Sequence, residues 1–183
     1  MVRVVHILGA SGSGTTTLGR ALSDAYGYHQ LDSDDYFWLP TEIPYTVKRG
    51  REERVRLMRE AIEPHEKCVI TGSLCGWGDP LIPLFGLIVR VVTPTEVRLA
   101  RLQEREYAKF GGRIREGGDM FQAHLEFLQW AADYDAGGLD MRSRAAHDAW
   151  LAQPQIRCPV AEADGTRPLP ELLAALAPFL EET

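Results

Sequence analysis

Apolar positions along the chain change period again and again, and each change marks an element. Val2 to Leu8 is a short, β-branched run that stops at glycine, as a strand buried in a parallel sheet does. After Gly14, the residues Leu18, Ala21, Leu22 and Ala25 recur at helical spacing, and Gly27 supplies a stop. Strand, glycine turn and helix form the opening unit. A short strand is expected over Tyr28 to Leu31, then a helix carrying Val55, Met58 and Ile62 that ends before Pro64. Cys68 to Thr71 and Leu87 to Val92 read as further strands. Thr93-Pro94-Thr95-Glu96 has the form of a capping box with a first-turn proline heading the next helix. Phe121, Leu125, Leu128 and Ala132 mark another helix, and a shorter one surrounds His147 to Leu151. Ile156 to Ala163 supplies a last strand, Asp164-Gly165 a turn, and Leu172, Leu173, Leu176 and Leu180 a terminal helix despite Pro178. Strands alternating with helices imply a parallel sheet covered on both faces.

Length and composition narrow this picture. The 183 residues suit one domain, with no repeat, low-complexity tract or long linker. Hydrophobic residues at 45% and charged residues at 25% are the balance of a globular chain. With 26 Asp and Glu against 20 Lys and Arg, the net charge of -6 gives no general basic field for a nucleic-acid backbone. No apolar run approaches the roughly 20 residues that span a bilayer, and MVRVVHILGASG runs into a glycine turn, so no membrane association and a cytoplasmic location are expected. Cys68, Cys75 and Cys158 have no C-x-x-C spacing and suggest neither a disulfide framework nor a zinc site.

The turn after the first strand carries the chemistry. Gly9-Ala10-Ser11-Gly12-Ser13-Gly14-Thr15-Thr16 matches the pattern G-x-x-x-x-G-K-S/T except that Thr15 stands where lysine is expected. Glycines let successive backbone N–H groups converge on phosphate oxygens, and the following helix turns its positive end to the same anion. Gly9, Ser11, Gly12, Ser13, Gly14, Thr15, Thr16 and Thr17 are therefore the expected nucleotide-binding set, with the Thr16 hydroxyl available to Mg²⁺. What is missing is a cation on the β- and γ-phosphates. An ordinary tight connection is the bland alternative. A dinucleotide-binding start fits less well, lacking a lone acidic residue at the end of the second strand.

At these residues the chain resembles the nucleotide-monophosphate and shikimate kinase group of P-loop proteins, including adenylate-kinase-like members known only as ATPases. The likeness rests on Gly9 to Thr16, on Leu31-Asp32-Ser33-Asp34 after the second strand, on an arginine-bearing helix after the fourth, and on Val160 to Gly165. It implies a three-layer α/β/α P-loop NTPase fold with a mostly or wholly parallel sheet of about five strands. It also implies ATP or another nucleoside triphosphate, Mg²⁺ and a small-molecule acceptor, in a monomer or homodimer.

By the same resemblance, Asp32 is expected in the metal shell with Thr16, and Asp34 at the acceptor as a binding group or base; a solvated turn is the alternative for this cluster. Thr71-Gly72-Ser73 follows the third strand, where the group places small residues near the acceptor, and Ser73 can equally cap the turn. Trp77 reads as lid packing or a substrate platform. Arg98, Arg101 and Arg105, three and four apart, carry guanidinium groups along one helix face. Arg101, Arg105 and Arg113, with Arg115, are the candidates to supply the charge that Thr15 does not; a solvated face paired with Glu104 or Glu106 is the alternative. A mobile lid is expected over residues 110–118 and an acceptor-binding insertion over 36–64, the latter carrying Tyr36, Trp38, Tyr45, Lys48, Arg49, Arg51 and Arg54. Asp164 to Pro168 resembles the turn behind a nucleotide base. His124 and His147 read as surface or packing residues. Two other functions stay open: a nucleotide-responsive regulatory module that lost turnover with the lysine, and an RNA-associated factor using the basic, aromatic insertion.

Overall fold

The structure, a computed structural model, describes residues 2–181. Five strands, β1 (Val4–Gly9), β2 (His29–Asp32), β3 (Cys68–Thr71), β4 (Leu87–Val92) and β5 (Val160–Asp164), form one sheet in the order β2-β3-β1-β4-β5. Every neighbouring pair is parallel, with registers such as Val5 beside Val69, Ile7 beside Val89 and Val91 beside Ala163. The central strand β1 is buried along its whole length, which is why its sequence reads as an apolar run instead of an alternation.

Among the described residues seven α-helices accompany the sheet: α1 (Thr15–Tyr26), α2 (Ser33–Phe37), α3 (Arg51–Ile62), α4 (Thr95–Phe110), α5 (Phe121–Ala132), α6 (Arg144–Leu151) and α7 (Leu169–Glu181). The side-chain period of two sorts β1 between them. Val5 and Ile7 join Val89 and Val91 under Leu18 and Leu22 of α1 and Leu172, Leu176 and Leu180 of α7. Val4 and Leu8 join Ile70 and Ile88 under Met58 and Ile62 of α3, Trp150 of α6, and Trp77 and Leu81. Each leucine so buried contributes about 1.5–3 kcal/mol relative to exposure. No helix among the described residues is long and apolar enough to cross a membrane.

The expected elements are present, with three corrections. The last strand begins at Val160, not Ile156; Pro159 has no N–H for a ladder, and its carbonyl accepts instead from Ile88 N at 3.0 Å. The capping box does not form. Helix α4 starts at Thr95 with Pro94 as N-cap and no side-chain cap, because the Thr93 hydroxyl is buried and donates to the Ser13 carbonyl at 3.0 Å. Trp77 is neither lid nor platform: it is 1% exposed in the core, and its indole N–H donates to the Ser73 carbonyl at 3.2 Å.

Candidate functional site

All five strands end toward the same edge, and there the glycine turn between β1 and α1 meets the loops after β2, β3, β4 and β5. Gly12 and Gly14 have φ of +80° and +103°, a left-handed backbone that only glycine adopts freely. There is also no room for a side chain. A Cβ on Gly12 would come within 2.6 Å of the Arg98 carbonyl oxygen, and one on Gly9 within 2.7 Å of that of Val91. Gly14 is the N-cap of α1, so the amides opening that helix are left to a ligand. The Ser13 hydroxyl is buried without a partner at the centre of the turn. Open amides, an unpartnered donor and a helix N-terminus suit a polyphosphate.

The three arginines expected on one face of α4 separate into different roles. Arg98 is 1% exposed and ties the site together from beneath. Its guanidinium donates to the carbonyls of Thr93 at 3.1 Å, Ala131 at 3.0 Å and Ser11 at 3.4 Å, and meets Asp135 at 3.2 Å. Arg101 lies on the phosphate turn: Nη2 donates to Gly165 O at 2.9 Å, Nη1 to Ser13 O at 3.4 Å, and Nη1 is 3.8 Å from where a Cβ of Gly14 would sit. Arg105 is exposed at 58% and, among the described residues, pairs with Glu106 at 3.6 Å. Farther along, Arg113 pairs with Asp119 at 2.6 Å in the stretch between α4 and α5, where a single 3-10 turn, Gly111–Ile114, buries Ile114. Thr15 turns its methyl toward Gly9 and is too short to cross the turn as a lysine would. The turn after β5 folds against this side: Gly165 N donates to Val92 O at 2.8 Å, and the Asp164 carboxylate accepts from the Thr166 amide at 2.9 Å.

Across the turn, Asp32 ends β2 and serves as N-cap of α2, accepting from Asp34 N at 3.0 Å. Its other oxygen accepts from the hydroxyls of Thr16 at 3.2 Å and Thr71 at 3.3 Å. Burial raises its carboxyl pKa, helped by the charges of Asp34 and Asp35 and opposed by these bonds. Among the described residues no group of three or more His, Cys, Asp or Glu is gathered for a metal. Mg²⁺ does not require one, since it keeps several waters and takes one or two protein oxygens plus phosphate; a threonine hydroxyl beside a carboxylate fits that donor set.

Asp34 faces Arg142, whose Nη2 is 3.7 Å away. Nothing in the local sequence marks Arg142. It belongs to the segment before α6, and only the tertiary fold brings it to the end of β2. Gly72, with φ +102°, packs so tightly on Ser33 that a Cβ would overlap its hydroxyl. Ser73 lies just beyond, bonded to His147 at 3.2 Å. Within the insertion, Arg54 stacks 3.8 Å from the centroid of Phe37 and donates to the Arg49 carbonyl, while Tyr45 leaves this region and accepts a hydrogen bond from Lys109 at the end of α4 at 2.9 Å.

Comparison with known proteins agrees with this fold. A family model described as AAA domain matches residues 5–120, from β1 to the residue before α5. The chain belongs to the AAA domain family. It is a P-loop NTPase similar in build to the nucleotide-monophosphate and shikimate kinases. Uncharacterized protein YqaC of Bacillus subtilis is 42% identical to this AAA-domain chain over 160 residues, 87% of each chain. A cytidylate kinase of Thermococcus sibiricus is 29% identical over 155 residues, 79% of this chain and 76% of the relative. In fold, the chain is similar to shikimate kinase from Acinetobacter baumannii, with a TM-score of 0.55 at 18% identity over 100% of this chain and 97% of that one.

Proposed function

We propose that this AAA-domain protein catalyses Mg²⁺-dependent transfer of the terminal phosphoryl group of ATP, or of another nucleoside triphosphate, to a hydroxyl or phosphate oxygen of a small molecule. The observation that carries the reading is the juxtaposition at one sheet edge of an amide-lined glycine turn, a Thr16–Asp32 oxygen pair and a second carboxylate, Asp34. The cytidylate and shikimate kinases to which the chain is similar support a small acceptor.

Phosphoryl transfer asks for positioning and charge stabilisation more than for covalent chemistry. In this reading the backbone from Gly12 to Thr16 binds the donor phosphates, with Gly9, Ser11 and Thr17 completing the cradle. Thr16 and Asp32 hold the metal ion, which when bound neutralises charge on the phosphates. Asp34 accepts a hydrogen bond from the acceptor hydroxyl and can take its proton, while Arg142 holds that carboxylate in place. Arg101, already on the turn, supplies the positive charge that Thr15 cannot; Arg105 and Arg113 are recruited from the exposed end of α4 and the lid when substrates bind. Removing one preorganised hydrogen-bond donor from a site of this kind typically costs about 2.7–4 kcal/mol.

The test is a product screen with radiolabelled Mg-ATP over shikimate, gluconate, cytidine and other nucleoside monophosphates, nucleosides and sugars. At least one acceptor is expected to be labelled, and Thr16→Ala, Asp34→Asn and Arg105→Ala each to reduce labelling. Unchanged labelling in all three variants refutes the residue roles. Thr15 itself favours a second reading, a regulatory module that binds nucleotide without turnover. Mg-ATP binding measured by calorimetry with no product from any acceptor supports that module.

A further inference from the structure

Thr93 heads a motif that the chemistry proposed above leaves unused. It is buried directly after β4, and the proline that follows confines its backbone to extended conformations. Its carbonyl accepts from Arg98 Nε at 3.1 Å, so the residue is held on both sides. With the backbone so fixed, the hydroxyl does not turn back to cap α4. It crosses to the phosphate turn and donates to the Ser13 carbonyl at 3.0 Å. Gly165, in the turn after β5, closes over this bond: a Cβ there would overlap the Thr93 hydroxyl and the Ser13 carbonyl oxygen together. Arg101 Nη1 reaches the same carbonyl at 3.4 Å, a longer and weaker contact.

This bond sets the direction of a peptide plane. The Ser13 carbonyl and the Gly14 N–H belong to one trans peptide unit and point in opposite directions. With the carbonyl drawn to the buried Thr93, the Gly14 N–H is turned to the other side of the turn, and it donates to no acceptor among the described residues. The peptide unit two residues earlier repeats the arrangement more loosely. Arg98 Nη1 donates to the Ser11 carbonyl at 3.4 Å, and the Gly12 N–H likewise has no acceptor among the described residues. Between them Ser13 N closes the turn onto Ala10 O at 3.1 Å. Two carbonyls are thus held from beneath while the two amides paired with them stay open, which is the polarity an anion requires.

We infer that Thr93 is a positioning residue for phosphate binding: by holding the Ser13 carbonyl, its hydroxyl aims the Gly14 N–H at a phosphate oxygen of the ligand. The inference rests on the reading of residues 9–16 as a polyphosphate site, and the Ser13–Gly14 peptide can also be followed with no ligand present.

The experiment compares the full chain with Thr93→Val, which keeps the side-chain shape and loses the hydroxyl, and with Thr93→Ser, which keeps the hydroxyl. Calorimetry is expected to show Mg-ATP binding weakened about tenfold in Thr93→Val and within about twofold of the wild type in Thr93→Ser. Equal affinity in all three proteins overturns the inference, as does a loss in Thr93→Ser as large as in Thr93→Val. Lower thermal stability of Thr93→Val with unchanged affinity shows a purely structural role and overturns it too. In ¹⁵N–¹H spectra of the wild type, the Gly14 amide is expected to shift on saturation with Mg-ATP. An unmoved Gly14 amide contradicts the inference, and that spectrum decides if Thr93→Val does not fold. With no ligand, the Ser13 carbonyl ¹³C resonance is expected to move in Thr93→Val and to hold in Thr93→Ser. A wild type that binds neither Mg-ATP nor inorganic triphosphate sinks the polyphosphate reading, and this inference with it. An unmoved Ser13 resonance in Thr93→Val sinks the inference alone, even where nucleotide binds.

Discussion

The two halves of the site are built by different means. On the nucleotide side a contiguous turn, residues 9–16, shapes the cradle with its own backbone, and the positive φ of Gly12 and Gly14 and the absence of Cβ atoms do most of the shaping. On the proposed acceptor side no such contiguous segment does the shaping. There Asp34 of α2 meets Arg142 from the segment before α6, and Ser73 after β3 meets His147 of α6, each pair far apart in sequence. A turn shaped by main chain keeps its backbone form with threonine at position 15, whereas contacts between crossing side chains can be retuned one at a time.

The largest expected effect tests whether the nucleotide side is held from beneath. Arg98→Leu removes a buried cation and leaves the carbonyls of Thr93 and Ala131 without their donor; a loss of about 3–5 kcal/mol in urea unfolding is expected. A loss under 1 kcal/mol would mean that the turn needs no such anchor. Gly12→Ala comes next. Its φ of +80° and the 2.6 Å approach to the Arg98 carbonyl are expected to cost about 1–3 kcal/mol and to abolish Mg-ATP binding in calorimetry, with Thr15→Ala far milder.

Acid sensitivity sharpens the comparison from the other side. His6, in the core against Phe85 and Trp150, and His147 titrate near 4 and 3 when folded, below the ordinary 6.5, chiefly because burial disfavours the charged ring. Unfolding therefore takes up protons between pH 6.5 and those values. Stability is fully retained above 6.5, falls as pH drops through this window by up to about 1.4 kcal/mol per unit for each ring, and the slope ends below it. His147→Gln is expected to reduce the proton uptake on unfolding, measured from denaturation midpoints across pH 4.5–6.5, by about one. An unchanged slope would mean that the ring is charged in the native state.

The smallest effect on stability is expected for Arg142→Ala. At 3.7 Å and partly exposed, its pair with Asp34 is worth about 0–1 kcal/mol, so melting should barely move while acceptor KM rises. An equal fall in stability would recast Arg142 as a fold residue.

The same contrast explains what the sequence revealed. Strand β1, the glycine turn and the helices over Phe121 to Ala132 and Leu172 to Leu180 were legible because period and glycine spacing are local signals. The Thr93 capping box was misread because a buried long-range partner, the Ser13 carbonyl, outcompeted the helix end for its hydroxyl. Three arginines at helical spacing looked like one functional face, yet Arg98 lies 1% exposed and Arg105 points into solvent. Arg142 gave no local signal, because its partner Asp34 lies far away in the chain, whereas the reading of His147 as a surface or packing residue is met by its full burial.

The central claim is that a main-chain cradle backed by Arg101 grips a polyphosphate where a lysine would otherwise help. Calorimetry of Mg-ATP binding to the wild type and to Arg101→Ala tests it most directly. Saturable one-to-one binding that weakens by about 10 to 100-fold in the variant is the expected result. No binding of any nucleoside triphosphate by the wild type, or equal affinity in both proteins, would contradict it.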